Sequence, residues 1–252
     1  MEITGWKILW GVLGALCVGL AKGGISGLGI VAAPLFALVF PPKESTGLVL
    51  VILICADVVS VSLFRRHAVW AHIIRLFPFA ALGVWLGYRA FKVLDSGQVG
   101  HMMGLILLGL VALQFWRGQK TKGQPEKAVE LVPQSFWLVA LTGVAAGFTT
   151  MIANAAGPVM ILYLLAMGLP KMEFIGTSAW YFLTLNLFKV PFSYDLNLIN
   201  PQSLRVDAYF APVAMVSVWA GRWLLKFIDQ ELIEKLALAF TFLAALKLLS
   251  GL

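Results

Sequence analysis

Three charged residues lie inside apolar runs or directly at their ends, where a charge is costly. Lys22 follows the first run, and Asp57 and Lys189 lie within later ones. On insertion scales, a lysine at the centre of a membrane costs on the order of 2.5–3.5 kcal/mol, and such charges usually mark substrate or ion paths. The two lysines therefore predict a site for an anion. Asp57 is either a proton carrier or the counter-ion of Lys22.

Each lysine also has an ordinary explanation. Lys22 could reach water if the turn that follows it is only shallowly buried, and Lys189 could reach the membrane interface from near the end of its helix. Asn186 precedes Lys189 by about one helical turn and shares its face, so it joins the candidate site. Thr177 and Ser178 are further candidates, although such hydroxyls also bond to carbonyls of their own helix.

Four of the ten apolar runs are too short to cross a membrane as helices. They form two adjacent pairs, and the breaks within the pairs, 22–29 and 150–154, contain glycine or polar residues. Such breaks leave helix ends that need hydrogen-bond partners, so each pair predicts a broken or re-entrant hairpin. The short runs are 8–21, 28–40, 135–149 and 155–168.

Ser26 and Asn154 lie at these breaks, each before the second short helix of its pair. Both are residue types that cap helix N-termini, and the free N–H groups and positive dipole end found there also attract anions. These side chains either only cap the helices or, together with Thr149 and Thr150, hydrogen-bond a small oxyanion.

The composition is that of an integral membrane protein. Of the 252 residues, 60% are hydrophobic and 12% are charged, and soluble domains carry about twice that charged share. The net charge of +7 comes from basic residues at the ends of apolar runs, which points to membrane topology and not to nucleic acid. Cys17 and Cys55 form no disulfide or metal pattern. No ATP-binding or hydrolase motif is present, so we expect neither an enzyme nor a cofactor.

The chain divides into two similar halves, 1–116 and 135–252, separated by the polar linker 117–134. Glycines, prolines and charges recur in the same order in both halves, with a small drift in the offset, which predicts an internal repeat. The matched pairs include Gly19 with Gly143 and Gly23 with Gly147 at an offset of 124, Asp57 with Asn186 at 129, and Pro78 with Pro212 and Gly87 with Gly221 at 134.

The charges predict that the halves point in opposite directions. The loop 65–72 and the linker are basic and therefore cytoplasmic, whereas 193–207, the equivalent of loop 65–72, is acidic and external. Opposed halves need an odd number of crossings each, which three spanning helices and a re-entrant hairpin provide. The predicted fold is all-α, with two inverted repeats, about eight segments by hydropathy, and both termini periplasmic.

The chain resembles the TauE/SafE family of membrane transporters, the sulfite exporters, over nearly its whole length. The resemblance implies ATP-independent passage of small sulfur-containing anions such as sulfite, sulfoacetate or other organosulfonates. The second opening, GFTTMIANAAG, is less rich in glycine than the family pattern, which bears on the substrate and not on the fold. The stretches that carry the resemblance are GLAKGGISGLGIVAAPLFAL (19–38), GFTTMIANAAGPVMILYLLAMGLPK (147–171) and GTSAWYFLTLNLFKVP (176–191).

The sequence thus predicts a secondary transporter of a bacterial inner membrane. It moves a small sulfur-containing or organic anion by alternating access, and Asp57 couples transport to protons. A passive anion channel and a transporter of a non-sulfur carboxylate are the alternatives. The expected partners are the anion and the lipid bilayer, without nucleic acid or metal, and a homodimer is left open.

Overall fold

A computed structural model describes residues 5–25, 27–121, 136–225, 227 and 229–250. The regular structure of these residues is helical, and they contain no strand. Ser26 and most of the linker 117–134 lie outside the described residues. The helices are α1 (Gly5–Lys22), α2 (Gly29–Ala37), α3 (Pro42–Phe64), α4 (Trp70–Val93), α5 (Ser96–Thr121), α6 (Phe136–Ala153), α7 (Gly157–Ala166), α8 (Lys171–Asp195), α9 (Pro201–Leu224) and α10 (Gln230–Ser250), with a 3₁₀ turn at Arg65–His67 after α3.

Two of the four short runs form longer helices than the sequence predicted. Helices α1 and α6 have 18 residues each, or about 27 Å at a rise of 1.5 Å per residue, and both are long and apolar enough to cross a membrane. The prediction that runs 8–21 and 135–149 are too short was therefore wrong, because the helices continue beyond these runs, α1 into 5–7 and 22 and α6 into 150–153. Helices α2 and α7 are short, with 9 and 10 residues.

Helices α3, α4 and α5 also meet the length and apolarity expected of a membrane span. Helices α8, α9 and α10 have sufficient length, with 25, 24 and 21 residues, but less apolar sequences. Helix α9 has a clear sequence signal for its start: Asn200 accepts from the N–H groups of Gln202 and Ser203, and Pro201 occupies the first helical position. The chain is therefore a multi-pass membrane protein.

The first helices of the two halves each pack against a helix of the other half. Helix α1 packs on α9 and helix α6 packs on α4, while α3 contacts α8 and α5 contacts α10. Glycines permit the first two contacts: a Cβ atom on Gly19 would overlap the backbone of Ala214 in α9, and one on Gly147 would overlap the backbone of Ala80 in α4. The repeated glycines thus mark the positions at which helices of different halves approach most closely.

Helices α3 and α8 run antiparallel through the centre of the molecule. Gly47, near the start of α3, lies against Leu198 beyond the end of α8, whereas Gly176, near the start of α8, lies against His67 beyond the end of α3. We call the end of the molecule at which α3 ends and α8 begins the Arg65 end, and the opposite end the Asp195 end.

Candidate functional site

The first half contributes a buried ion pair. Lys22 is the last residue of α1, and its Nζ lies 2.6 Å from Oδ1 of Asp57 in α3. The Asp57 side chain is 0% exposed and that of Lys22 is 13% exposed. The Lys22 ammonium also lies 4.0 Å from the centre of the Phe182 ring, within range of a cation–π contact. The counter-ion interpretation of Asp57 is confirmed, because the Lys22 ammonium pairs with this carboxylate.

The backbone after Lys22 places the ammonium at this position. Gly24 and Gly27 have φ values of 113° and 94°, a region that glycine enters without steric cost. The Ser60 hydroxyl of α3 donates to the carbonyl of Lys22 at 2.9 Å. This bond satisfies one of the free carbonyls at the end of α1 and ties the break to α3.

The second half contributes a lysine that is held by neutral oxygens. Lys189 of α8 is 1% exposed, and its Nζ donates to Asn154 Oδ1 at 2.6 Å and to Thr150 Oγ1 at 3.2 Å. A longer contact of 3.4 Å joins it to Asn186 Oδ1, which confirms that Asn186 and Lys189 share a face. Helix α8 continues to Asp195, so the interpretation of Lys189 as an interface residue was wrong.

Asn154 occupies the break between α6 and α7 but does not cap α7. Its φ of 49° is left-handed, a conformation that asparagine adopts more readily than most residues. Its side chain accepts from Lys189 and donates to the carbonyl of Thr46 at 2.9 Å. The N-cap of α7 is Ala156, without a side-chain cap. The capping prediction for Asn154 was therefore wrong, and the break lies at 154–156 and not at 150–154.

An amide connects the two lysine clusters. Asn186 Nδ2 donates to Asp57 Oδ2 at 2.7 Å, while Asn186 Oδ1 faces Lys189. Asp57 and Asn186 are the matched pair at an offset of 129 in the sequence, so the repeated positions of α3 and α8 touch each other at the centre. The connected network contains two lysines and one aspartate, so its formal charge is positive.

A cavity of about 160 Å³ borders this network. Its polar wall includes Lys22, Ser60, Thr150, Asn154, Asn186 and Ser178, and its apolar wall includes Leu53, Met160 and Phe182. Gly29 and Gly157, the first residues of α2 and α7, also line it. The start of each short helix thus borders the same space, and helix N-termini attract oxyanions.

The cavity extends from the network towards the Arg65 end. Phe174 and Ile175, in the first turns of α8, line it together with Gly24 and Gly27 of the first break. On the opposite side of the network, the Asn154 bond to the Thr46 carbonyl closes the space between the second break and α3. A small ion in the cavity would therefore approach the network from the Arg65 end.

Not every predicted residue reaches this cavity. The Thr149 hydroxyl donates to the carbonyl of Ala145 in its own helix at 2.8 Å. Thr177 is 0% exposed, and its Oγ1 accepts from the Val69 N–H at 2.9 Å, which ties the start of α4 to α8. Ser178, the next residue, lines the cavity. Ser26 lies outside the described residues.

Sequence reasoning missed Phe182 and Ser60, although a helical period could have found them. Phe182 lies four residues after Ser178 and four before Asn186, so α8 presents one continuous face to the cavity. Ser60 follows Asp57 by three residues on α3 and also lines the cavity. An aromatic ring and a serine are common in membrane helices, and nothing in their type singles them out.

Comparisons with known proteins complete the description of the site. The family model described as "Sulfite exporter TauE/SafE" matches residues 11–248. No curated protein and no solved structure matches the chain.

Proposed function

Because the chain belongs to the TauE/SafE sulfite exporter family, a family of membrane transporters, we propose that it is a secondary transporter of a small sulfur-containing anion such as sulfite or an organosulfonate. The observation that carries the proposal is the excess positive charge of the buried network at the wall of the cavity. Lys22 supplies the charge that faces the cavity, and the starts of α2 and α7 supply N–H groups. A sulfur oxyanion presents several acceptor oxygens to match them.

Lys189 has a supporting role in this proposal. It does not line the cavity, but it orients the Thr150 hydroxyl and the Asn154 amide, both of which do. The Lys189 ammonium occupies the side-chain oxygens of Thr150 and Asn154, so their hydroxyl and amide hydrogens point away from it. The charge of Lys189 adds to the positive potential in the cavity. We propose Thr150, Asn154, Ser178 and Asn186 as the polar contacts of the anion.

Asp57 is the proposed proton carrier, and its ion pair supplies the mechanism. An anion that binds Lys22 competes with Asp57 for the same ammonium. A buried carboxylate that loses its counter-ion is costly and takes up a proton. Binding of the anion and uptake of the proton would then occur together, and both would cross the membrane in one step.

Alternating access between two inverted repeats is the proposed motion. The antiparallel order of α3 and α8, the reciprocal packing of α1 on α9 and α6 on α4, and a cavity on one side of the network support it. The basic residues at the Arg65 end favour a cytoplasmic location for that end by the positive-inside rule. We therefore propose an inward-facing conformation in an inner membrane, with both termini periplasmic and the linker 117–134 cytoplasmic.

Flux into proteoliposomes tests the substrate and the role of Lys22. The panel is sulfite, sulfoacetate and a carboxylate of similar size, each with and without a pH gradient. Lys22→Ala should reduce anion binding and flux, and Lys22→Arg need not restore them because a planar guanidinium differs from a compact ammonium. Lys235→Ala is the matched control, since its 69% exposed side chain lies in a surface pair. Normal flux in Lys22→Ala, or flux of the carboxylate alone, would contradict the proposal.

Asp57→Asn tests the coupling separately. The amide oxygen can still accept from Lys22, but the amide cannot exchange a proton, so binding should remain while the response of the flux to a pH gradient falls. The second half already carries an amide at the matched position, Asn186, which indicates that the scaffold accepts one. Full proton coupling in Asp57→Asn would assign the carrier to another residue.

A further inference from the structure

Asp207 is a buried carboxylic acid that the proposed transport site does not use. It lies in the second turn of α9 and is 1% exposed, and neither carboxyl oxygen has a hydrogen-bond partner among the described residues. Ser203, one turn earlier on the same buried face, is already committed: its hydroxyl donates to the carbonyl of Asn200 within the helix cap. Phe210, one turn later, is apolar and buried.

The helices packed against α9 form no ion pair with Asp207 among the described residues. Helix α3 presents Cys55, whose partly buried thiol is near enough to interact electrostatically with Asp207. Arg205, on α9 itself, is exposed on another face. Among the described residues, no basic nitrogen lies within 4 Å of the Asp207 carboxyl. The titratable residues of α1, the other helix packed on α9, are Lys7, Cys17 and Lys22.

The repeat indicates that the fold does not need a carboxyl group at this position. The counterpart of Asp207 at an offset of 134 is Ile73 in α4, which is buried at 3% exposure. An ionised carboxylate in such surroundings is far less favourable than the neutral acid. A metal cation would need several oxygen ligands, whereas no other side-chain oxygen of the described residues bonds to Asp207. A proton is therefore the ligand that fits.

We propose that Asp207 is a proton-binding switch at the Asp195 end of the transporter. The neutral acid stabilises the packing of α9 against α1 and α3, and loss of the proton opens this contact because the carboxylate must gain water. Helix α1 carries Lys22 and α3 carries Asp57, so movement of α9 relative to them also changes the central site. The switch acts on the conformation, whatever the identity of the transported anion.

Cys55 reports on this contact and needs no substrate. With Cys17 replaced by alanine, the purified protein in nanodiscs is labelled with N-ethylmaleimide at a series of pH values. At each pH, the Cys55 labelling rate of the protein with Asp207 is divided by the rate of Asp207→Asn. This ratio should rise roughly threefold or more between about pH 6 and pH 8.5. Simple electrostatics would lower this ratio, because a nearby carboxylate disfavours the reactive thiolate. A rise therefore reports opening of the contact.

Two further variants keep the test decisive. Asp207→Ile copies the first half, should fold, and should label like Asp207→Asn at every pH. Asp95→Asn removes an exposed carboxylate but keeps a side-chain acceptor at the start of α5, and it should retain the full rise. A ratio that is flat or falls with pH would overturn the switch. Because no anion is added, that outcome would leave the proposed transport function standing, while loss of anion flux in Lys22→Ala would leave the switch standing.

Discussion

The two halves of the chain pack in the same way but bring different charges to the centre. Gly19 and Gly147 each allow a first helix to touch the backbone of a helix from the other half. The lysines, in contrast, stand at unmatched positions: Lys22 lies at the first break and Lys189 in α8, where the matched residues are Ala146 and Ser60. Close helix contacts at glycines thus occur in both halves, whereas the lysines do not match, and a single site formed between the halves needs only one set of charged groups.

The two lysines also have different partners, and this difference predicts the largest effect of substitution. Lys22→Met leaves Asp57 buried without a counter-ion, which should cost about 3–5 kcal/mol of unfolding free energy. Lys189→Met removes a charge whose close partners are neutral oxygens, and relief of its desolvation offsets the lost hydrogen bonds. We expect its loss of stability to be clearly smaller.

Denaturant unfolding in detergent checks this contrast. The double variant Lys22→Met/Asp57→Asn should recover much of the stability that Lys22→Met loses, because it removes the orphaned charge. Equal losses of unfolding free energy in Lys22→Met and Lys189→Met would mean that the Asp57 carboxylate does not make the two lysines different.

Close approach of the helices predicts the next effect. Gly147→Ala places a Cβ against the backbone of Ala80, and Gly19→Ala does the same at Ala214. Because backbone cannot give way as a flexible side chain does, overpacking should cost about 1–3 kcal/mol in each variant. Gly109→Ala is the control, since it has nothing within 4 Å and lies in α5, where alanine is the better helix former. Similar unfolding midpoints for all three variants would contradict the close helix contacts at Gly19 and Gly147.

The sequence predicts the scaffold better than the site for a physical reason. Glycine spacing, apolar runs and basic loops are local signals, and the helices and the matched glycines could be predicted from them. Contacts such as Lys189 with Asn154 join residues 35 positions apart, and their geometry depends on how the helices pack. The type of residue marked Lys22, Asp57 and Asn186 as candidates, but it could not show that Thr177 ties α8 to Val69 while Ser178 faces the cavity.

Thr177 and Ser178 therefore offer a smaller and sharper contrast. Thr177→Val removes the acceptor of the Val69 N–H and should lower the unfolding free energy by about 1 kcal/mol, with anion affinity unchanged. Ser178→Ala removes a hydroxyl from the cavity wall and should weaken sulfite binding with little effect on unfolding. Sulfite titration and denaturant unfolding of both variants separate the two roles, and reversed outcomes would place the polar wall of the cavity elsewhere.

The smallest effect concerns the surface of the Asp195 end. There Tyr88 donates to Asp195 at 2.6 Å, and the Lys92 ammonium lies 3.0 Å from the same carboxylate, so that α4 is joined to α8. Both charged side chains are about half exposed, and water and salt screen such pairs strongly. Asp195→Asn should therefore lower the unfolding midpoint only slightly at low salt and still less at about 1 M salt. In the repeat, Lys92 and Asp195 match Lys226 and Arg66, two basic residue types, so the sequence offers no opposite charges at the matched positions. Denaturant unfolding of Asp195→Asn at both salt concentrations measures what the pair contributes to closing this end, and a large shift of the midpoint that persists at high salt would show that the pair is not a screened surface contact.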